Sequence, residues 1–240
     1  MEVKARSLYR EPERSDTVTF GALEFHDVFK IFSSGSVETV ALRGLELRIE
    51  PRELVALYGP SGSGKSTALQ LAAALDVPSA GEVRTRHRSL SRLDEAALAE
   101  YRAREVAIVF QSGNLWPELS ARQNVALGLR IAGPRKRLRA DVDRALDAFD
   151  LQRREAVRAG SLSGGEQQRV AIAAAAAREA PLVLADEPTA ELDASSERNV
   201  LVALQRLRDE FGSTIVVVTH SSRVAETAER VIELRDGAVR

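Results

Sequence analysis

Residues 59–67 read GPSGSGKST and match the spacing G-x-x-x-x-G-K-S/T. They follow ELVALY (53–58), a nearly all-apolar run of strand length, and precede a helix-forming segment, 65–75. In that setting glycines let backbone N–H groups turn inward on phosphate oxygens, and the following helix presents its positive end. Lys65 can then reach the outer phosphates, while the Ser66 hydroxyl is suited to Mg²⁺. Strand, loop and helix in this order make half of a βαβ unit, so the chain is expected to build an α/β core.

Further short runs of branched aliphatics, EVAIVF (105–110), LVLA (182–185) and TIVVVT (214–219), have the pattern of parallel strands buried on both faces. Upstream, two apolar stretches within 23–49 flank the Ser/Gly cluster 33–36 and predict a small β lobe. Between 111 and 161 the pattern changes: Leu138, Val142, Ala145, Leu146 and Phe149 keep helical spacing and predict an inserted helical lobe. The final stretch ERVIELRDGAVR predicts a hairpin turning at Asp236 and Gly237, and residues 1–17 read as a loose arm. At 240 residues and 44% hydrophobic composition the chain can bury a sizeable core, as one domain of two lobes or as two small domains. With 34 basic against 35 acidic residues there is no global pull towards nucleic acid, and without cysteine there is no disulfide framework or thiolate zinc site. The polar opening lacks the apolar centre of a signal peptide, and the longest apolar run, 170–177, is too short to span a bilayer. A cytosolic chain is expected, with any membrane role requiring a second one.

Two other stretches carry chemistry. LVLADE (182–187) is an apolar strand ending in two carboxylates. Phosphoryl transfer to water needs a holder for Mg²⁺ and a group to orient or deprotonate the water, and Asp186 and Glu187 suit these roles in that order. LSGGEQQRVAIAAAAA (162–177) has neither a nucleophile-base pair nor metal ligands. Ser163, Gly164 and Gly165 precede a long helix-forming run, so a hydroxyl and free N–H groups meet at a positive helix end, an anion site in want of a phosphate.

LSGGEQQR resembles the signature sequence of the ATP-binding cassette (ABC) ATPases, and other motifs of that family follow in order over most of 23–240. The resemblance implies one α/β domain, 1–240, of the P-loop NTPase fold: a RecA-like core with a mainly parallel sheet, an antiparallel β-subdomain and an inserted α-helical subdomain, 111–161. It implies ATP held by Gly59, Pro60, Ser61, Gly62, Ser63, Gly64, Lys65, Ser66 and Thr67, with Phe32 stacked on adenine. Gln111, in VFQSGNL, resembles the Q-loop glutamine and joins Ser66 and Asp186 as a Mg²⁺ ligand; His220 resembles the switch histidine at the γ-phosphate. Leu162, Ser163, Gly164, Gly165 and Gln168 are implied to contact ATP on a partner ATPase domain, and Asp193, in AELD, to lie in the D-loop at that interface. Catalysis is assigned to Glu187 with His220 and Gln111.

NLWPELSARQNVAL (114–127) further resembles the branch of macrolide-exporter (MacB), lipoprotein-release (LolD) and cell-division (FtsE) ATPases. That implies a homodimer or paralogous heterodimer at the cytoplasmic face of the membrane, coupled to an FtsX-like permease, with no nucleic-acid partner. A mechanical regulator that moves no substrate, or an importer-type ATPase, are the alternatives. The chain departs from the family at Ala174 and Ala176, where an arginine and a leucine are usual, and at Arg52, where a turn glycine is usual. The signature helix is still expected to run to Arg178 and stop ahead of Pro181. His26 and His87 have no companion ligands and read as structural or solvent-exposed. Trp116 either docks the membrane subunit or packs the helical lobe, and the basic runs 84–92 and 133–139 read as solvated faces.

Overall fold

The computed structural model describes residues 21–240 other than 36, 87, 135 and 136. The expected arm, 1–17, His87 and the middle of the basic run 133–139 lie outside the described residues. In chain order the elements are β1 (Leu23–Ser34), β2 (Val37–Ile49), β3 (Leu54–Tyr58), α1 (Lys65–Ala72), β4 (Ala80–Thr85), β5 (Arg88–Ser89), α2 (Glu95–Arg104) and β6 (Val106–Val109). Then come α3 (Ala121–Ile131), α4 (Leu138–Ala148), α5 (Gly164–Ala177), β7 (Leu182–Asp186), α6 (Ala194–Phe211), β8 (Thr214–Thr219), α7 (Ser222–Ala225), β9 (Arg230–Arg235) and β10 (Ala238–Val239).

They form an antiparallel sheet, β2-β1-β4-β5, and a six-stranded sheet, β10-β9-β3-β8-β7-β6, parallel except for the terminal hairpin. The expected architecture is present: parallel core, antiparallel lobe and helical insert. Alternation along the parallel strands decides what each face packs against. Val183, Ala185, Ile215 and Val217 point into a core shared with α3, α4, α5 and α6. Val55, Leu57, Leu184 and Val218 point into a second core closed by α1, α2 and the antiparallel lobe. Period-two burial on both faces is why these strands read as continuous aliphatic runs.

α5 runs to Ala177 and is capped at Arg178; Glu179 turns the chain out at φ 53°, and Pro181 follows, as the sequence predicts. Its alanines are packing surface. Ala173 and Ala176 are fully buried, and a Cβ added at Gly128 of α3 would stand 3.5 Å from that of Ala174, so the two helices approach closely there. α1 stops at Ala72, three residues short of the predicted 75, because Ala74 takes φ 53° and reverses the chain. Nothing in LAAAL announces that stop.

Arg52, at the position where the family resemblance makes a turn glycine usual, sits at φ 65° and donates its N–H to Thr214 Oγ1 at 2.9 Å. An L side chain in the left-handed region costs about 1–2 kcal/mol, of which glycine's extra unfolded-state entropy cancels part. Arg52→Gly should therefore stabilise the chain by about 0.5–1 kcal/mol, seen as a rise of about 1–4 °C in thermal unfolding.

Candidate functional site

Four adjacent strands of the parallel sheet deliver the candidate residues side by side. β3 runs into the GPSGSGKST loop, β8 into Thr219 and His220, β7 into Asp186 and Glu187, and β6 into Phe110 and Gln111. Register holds the ends level: Tyr58 pairs with Thr219, and Asp186 with Val218. Loops at the carboxyl ends of parallel strands are where such sheets take their ligands.

The loop is built against the terminal hairpin and β2. A Cβ at Gly59 would lie 2.2 Å from the Leu234 carbonyl oxygen, and one at Gly64, where φ is 101°, 2.5 Å from that of Ala41. Gly237 donates its N–H to the Ser63 carbonyl at 3.1 Å. Lys65 is buried and donates to the carbonyls of Gly59 at 2.8 Å and Pro60 at 2.9 Å. Burial pulls its ammonium below the usual lysine range, while Glu187 and Asp186 oppose that shift. The Ser63 hydroxyl is buried without a partner among the described residues, and α1 begins with no acidic residue in its first turn. A cradle with an orphan hydroxyl, a buried cation and a positive helix end fits a phosphate chain.

Opposite it, Ser66 Oγ donates to Asp186 Oδ1 at 3.4 Å. Burial raises the Asp186 carboxyl above its ordinary value of 3.8, the Glu187 charge adding to the shift and the Ser66 hydrogen bond and Lys65 opposing it. The fold thus favours the neutral carboxyl. That stabilisation is complete below the unfolded value and is lost as pH rises through the folded one, so the ionised group burdens the nucleotide-free chain at neutral pH. Asp186→Asn should accordingly unfold at a higher temperature than the parent near neutral pH, the gap shrinking towards about pH 4. Paired melting curves at the two pH values check this.

Glu187 stands at φ 44°, with its N–H tied to the Val218 carbonyl at 2.9 Å. Its Oε2 accepts from Thr219 Oγ1 at 3.1 Å, and its Oε1 is 2.7 Å from His220 Nδ1. A left-handed glutamate whose two oxygens are both held is a strained, pre-oriented group. Thr219, as the last strand residue, gives no sequence signal of this part.

The Q-loop glutamine is bonded to the D-loop. Gln111 Nε2 donates to Glu191 Oε1 in the D-loop at 2.8 Å, while Ser66 and Asp186 are bonded to each other. Gln168 is held inside the subunit. Its amide is buried and donates to the carbonyls of Phe110 at 3.0 Å and Gln111 at 2.6 Å, while Asn114 donates to its Oε1 at 3.2 Å. It braces the Q-loop from within, and the Leu162 side chain is buried in the core. The outward signature residues are Ser163 and Gly164; Gly165 packs on Ser196, where an added Cβ would approach to 2.8 Å.

Ser163 caps α5 in a reciprocal box: its Oγ accepts from the Glu166 N–H at 3.3 Å, and Glu166 Oε2 accepts from its N–H at 2.9 Å. Asp193 caps α6, accepting from the N–H groups of Ser195 and Ser196 and from the Ser196 hydroxyl, and these bonds hold its carboxyl below the usual range. Phe32 is 42% exposed on β1. It pairs with Thr39, two residues before the Ala41 carbonyl that touches the phosphate loop, and Lys30 Nζ lies 5.0 Å from its ring centroid. His26 is bonded to Glu24 at 3.0 Å, a structural role as expected.

The family model described as ABC transporter matches residues 42–190. An uncharacterized ABC transporter ATP-binding protein of Thermotoga maritima is 40% identical over 90% of this chain and 93% of its own length. The lipoprotein-releasing ATP-binding protein LolD of Geobacter metallireducens is 41% identical over 90% of this chain and 97% of its own. The macrolide export ATP-binding/permease protein MacB of Marinobacter nauticus is 42% identical, but the chain spans only 33% of it. Among solved structures, the dimeric post-hydrolysis state of the ATP-binding cassette MJ0796 bound to ADP and Pi superposes with a TM-score of 0.81 at 38% identity, covering 91% of this chain and 96% of that one. Sequence, fold and the row of strand ends agree that the chain belongs to the ABC transporter family, as its ATP-binding and ATP-hydrolysing subunit.

Proposed function

We propose that the chain energises an exporter or lipoprotein-extracting complex, working as a head-to-tail dimer beneath an FtsX-like permease at the cytoplasmic face of the membrane. The observation that carries this reading is the exposed end of α5: Ser163 and Gly164 present a capped, positive helix terminus on the surface, while Gln168 at the same segment is spent inside. Such an end is completed by a phosphate chain held in a second copy or a paralogue.

Within one subunit, the glycine loop and Lys65 bind the phosphates, Phe32 stacks on the base, and Glu187 receives the proton of the attacking water. His220 and Thr219 hold that carboxylate in place. Ser66 and Asp186 form the hard-oxygen pair that fits Mg²⁺, an ion that needs one or two protein oxygens beside those of the phosphates. When bound it supplies charge neutralisation along the phosphate chain.

Among the described residues no helix is long and apolar enough to cross a membrane. A groove of about 160 Å³ is lined by Trp116, Leu127, Gly128, Ile131, Ala174 and Arg178. Trp116 and Ile131 are each 63% exposed at its rim, which favours docking over the alternative that Trp116 packs the helical lobe. The groove suits an apolar cytoplasmic helix of the permease. Trp116→Ala should lose co-purification of that permease from detergent extracts, while ATP turnover by the isolated subunit stays within about twofold, as a rim residue outside the catalytic row permits. Recovery of an amino-acid-importer-type permease in place of an FtsX-like one would refute the assignment.

A further inference from the structure

Away from the strand ends, a cleft of about 200 Å³ opens between α5 and α6, closed at one end by the residues after α4. Arg169, Arg206, Asn199 and Asp150 line it with Phe149 and Val202. Arg169 stands four residues beyond Gly165, the point where α5 touches Ser196. Its Nε is shut off from solvent with no hydrogen-bond partner, and among the described residues its guanidinium enters no hydrogen bond or ion pair. Neighbouring arginines are occupied: Arg154 with Glu166 at 2.7 Å and Arg223 with Glu197 at 3.4 Å. Arg206 is partly so, donating one nitrogen to the Ala148 carbonyl and to Asp150 Oδ2, each at 3.0 Å.

Two guanidinium groups against one carboxylate leave the cleft with one uncompensated positive charge, and that carboxylate is already taken by Arg206. A desolvated, unpaired donor costs free energy until an acceptor is supplied. The planar fork of arginine matches the two-oxygen face of a carboxylate or phosphate. The space is several times the roughly 30 Å³ share of a single water. A cation would be repelled, and an apolar ligand would leave Arg169 unpaired.

We propose that this cleft binds a small oxyanion, a phosphate or carboxylate group, clasped by Arg169 and Arg206 with the Asn199 amide as a neutral donor. Because α5 begins after Ser163 and α6 after Asp193, the occupant ties together the two helices whose first turns face a partner subunit. The site is independent of the nucleotide cradle.

The test is thermal unfolding of the full chain carrying Lys65→Ala, which removes the main phosphate-loop charge from competition, titrated with inorganic phosphate at constant ionic strength. A saturable rise of about 3–5 °C at ten times Kd is expected. Arg169→Gln in the same background should abolish it, and Arg169→Lys, which keeps charge without the fork, should retain a part. If Arg169→Gln does not fold, Asn199→Ala and Arg206→Gln at the cleft mouth are each expected to weaken phosphate about tenfold. A parallel acetate series separates phosphoryl from carboxylate recognition, and a response to either supports an oxyanion site. An unsaturated rise, or one of equal size in the parent and in every variant, overturns it.

Discussion

Glu187→Gln is expected to lower steady-state ATP turnover by about 10²–10⁴-fold, the range for losing a positioned general base. The substitution is nearly isosteric. An amide oxygen can still accept from Thr219 Oγ1, and an amide nitrogen can donate to a neutral His220 Nδ1, so the contacts that orient the side chain at 3.1 Å and 2.7 Å survive. Only the basic oxygen is lost. Nucleotide binding should then be retained, and with hydrolysis blocked the two-subunit form should persist in ATP and dissociate in ADP. Phosphate release and size-exclusion chromatography in each nucleotide measure the two halves of this expectation. Turnover within about threefold of the parent would show that the proton leaves by another route.

The second large effect is expected at the glycine loop. Gly64→Ala places a Cβ 2.5 Å from the Ala41 carbonyl oxygen and 2.8 Å from Leu42 Cδ2, at a φ of 101° that L residues rarely adopt. Gly62 has a φ of 80°, but a Cβ there meets nothing within 4 Å. Strain alone costs about 1–3 kcal/mol at either site, while overlap with a backbone atom must move the loop or β2. Gly64→Ala should therefore weaken ATP by about a hundredfold or more, and Gly62→Ala by about tenfold, each 1.4 kcal/mol being a factor of ten. Titration with a fluorescent ATP analogue ranks them; equal losses would mean that contact with β2 does not set the loop's shape.

The parts of this molecule that sequence makes legible are those governed by local rules. Branched aliphatic runs mark the buried parallel strands, the Asp236-Gly237 pair turns the last hairpin at φ 50° and 82°, and the GPSGSGKST spacing fixes the cradle. What stays hidden depends on tertiary partners. Gln168 reads as a signature residue available to a neighbour, yet it shares a helix face with buried Ile172, one turn on, and that periodicity is the clue to its inward brace. Nor does the sequence show that the Gln111 amide N–H is taken by Glu191, eighty positions away. The end of α1 at Ala72 is set by a left-handed alanine that no residue type advertises.

The alanine-rich helix has a mechanical consequence. Ala174, on the groove proposed for the permease, lies eleven residues from Ser163, about 16 Å at the α-helical rise. Ala171, Ala173 and Ala174, half of the second half of that span, are single methyl groups with no rotamers to rearrange, on a helix packed against α3, α4 and α6. In the proposed complex, a push delivered at the groove would meet few side chains free to repack on the way, and the helix would carry it as a push-rod to Ser163 at the other end.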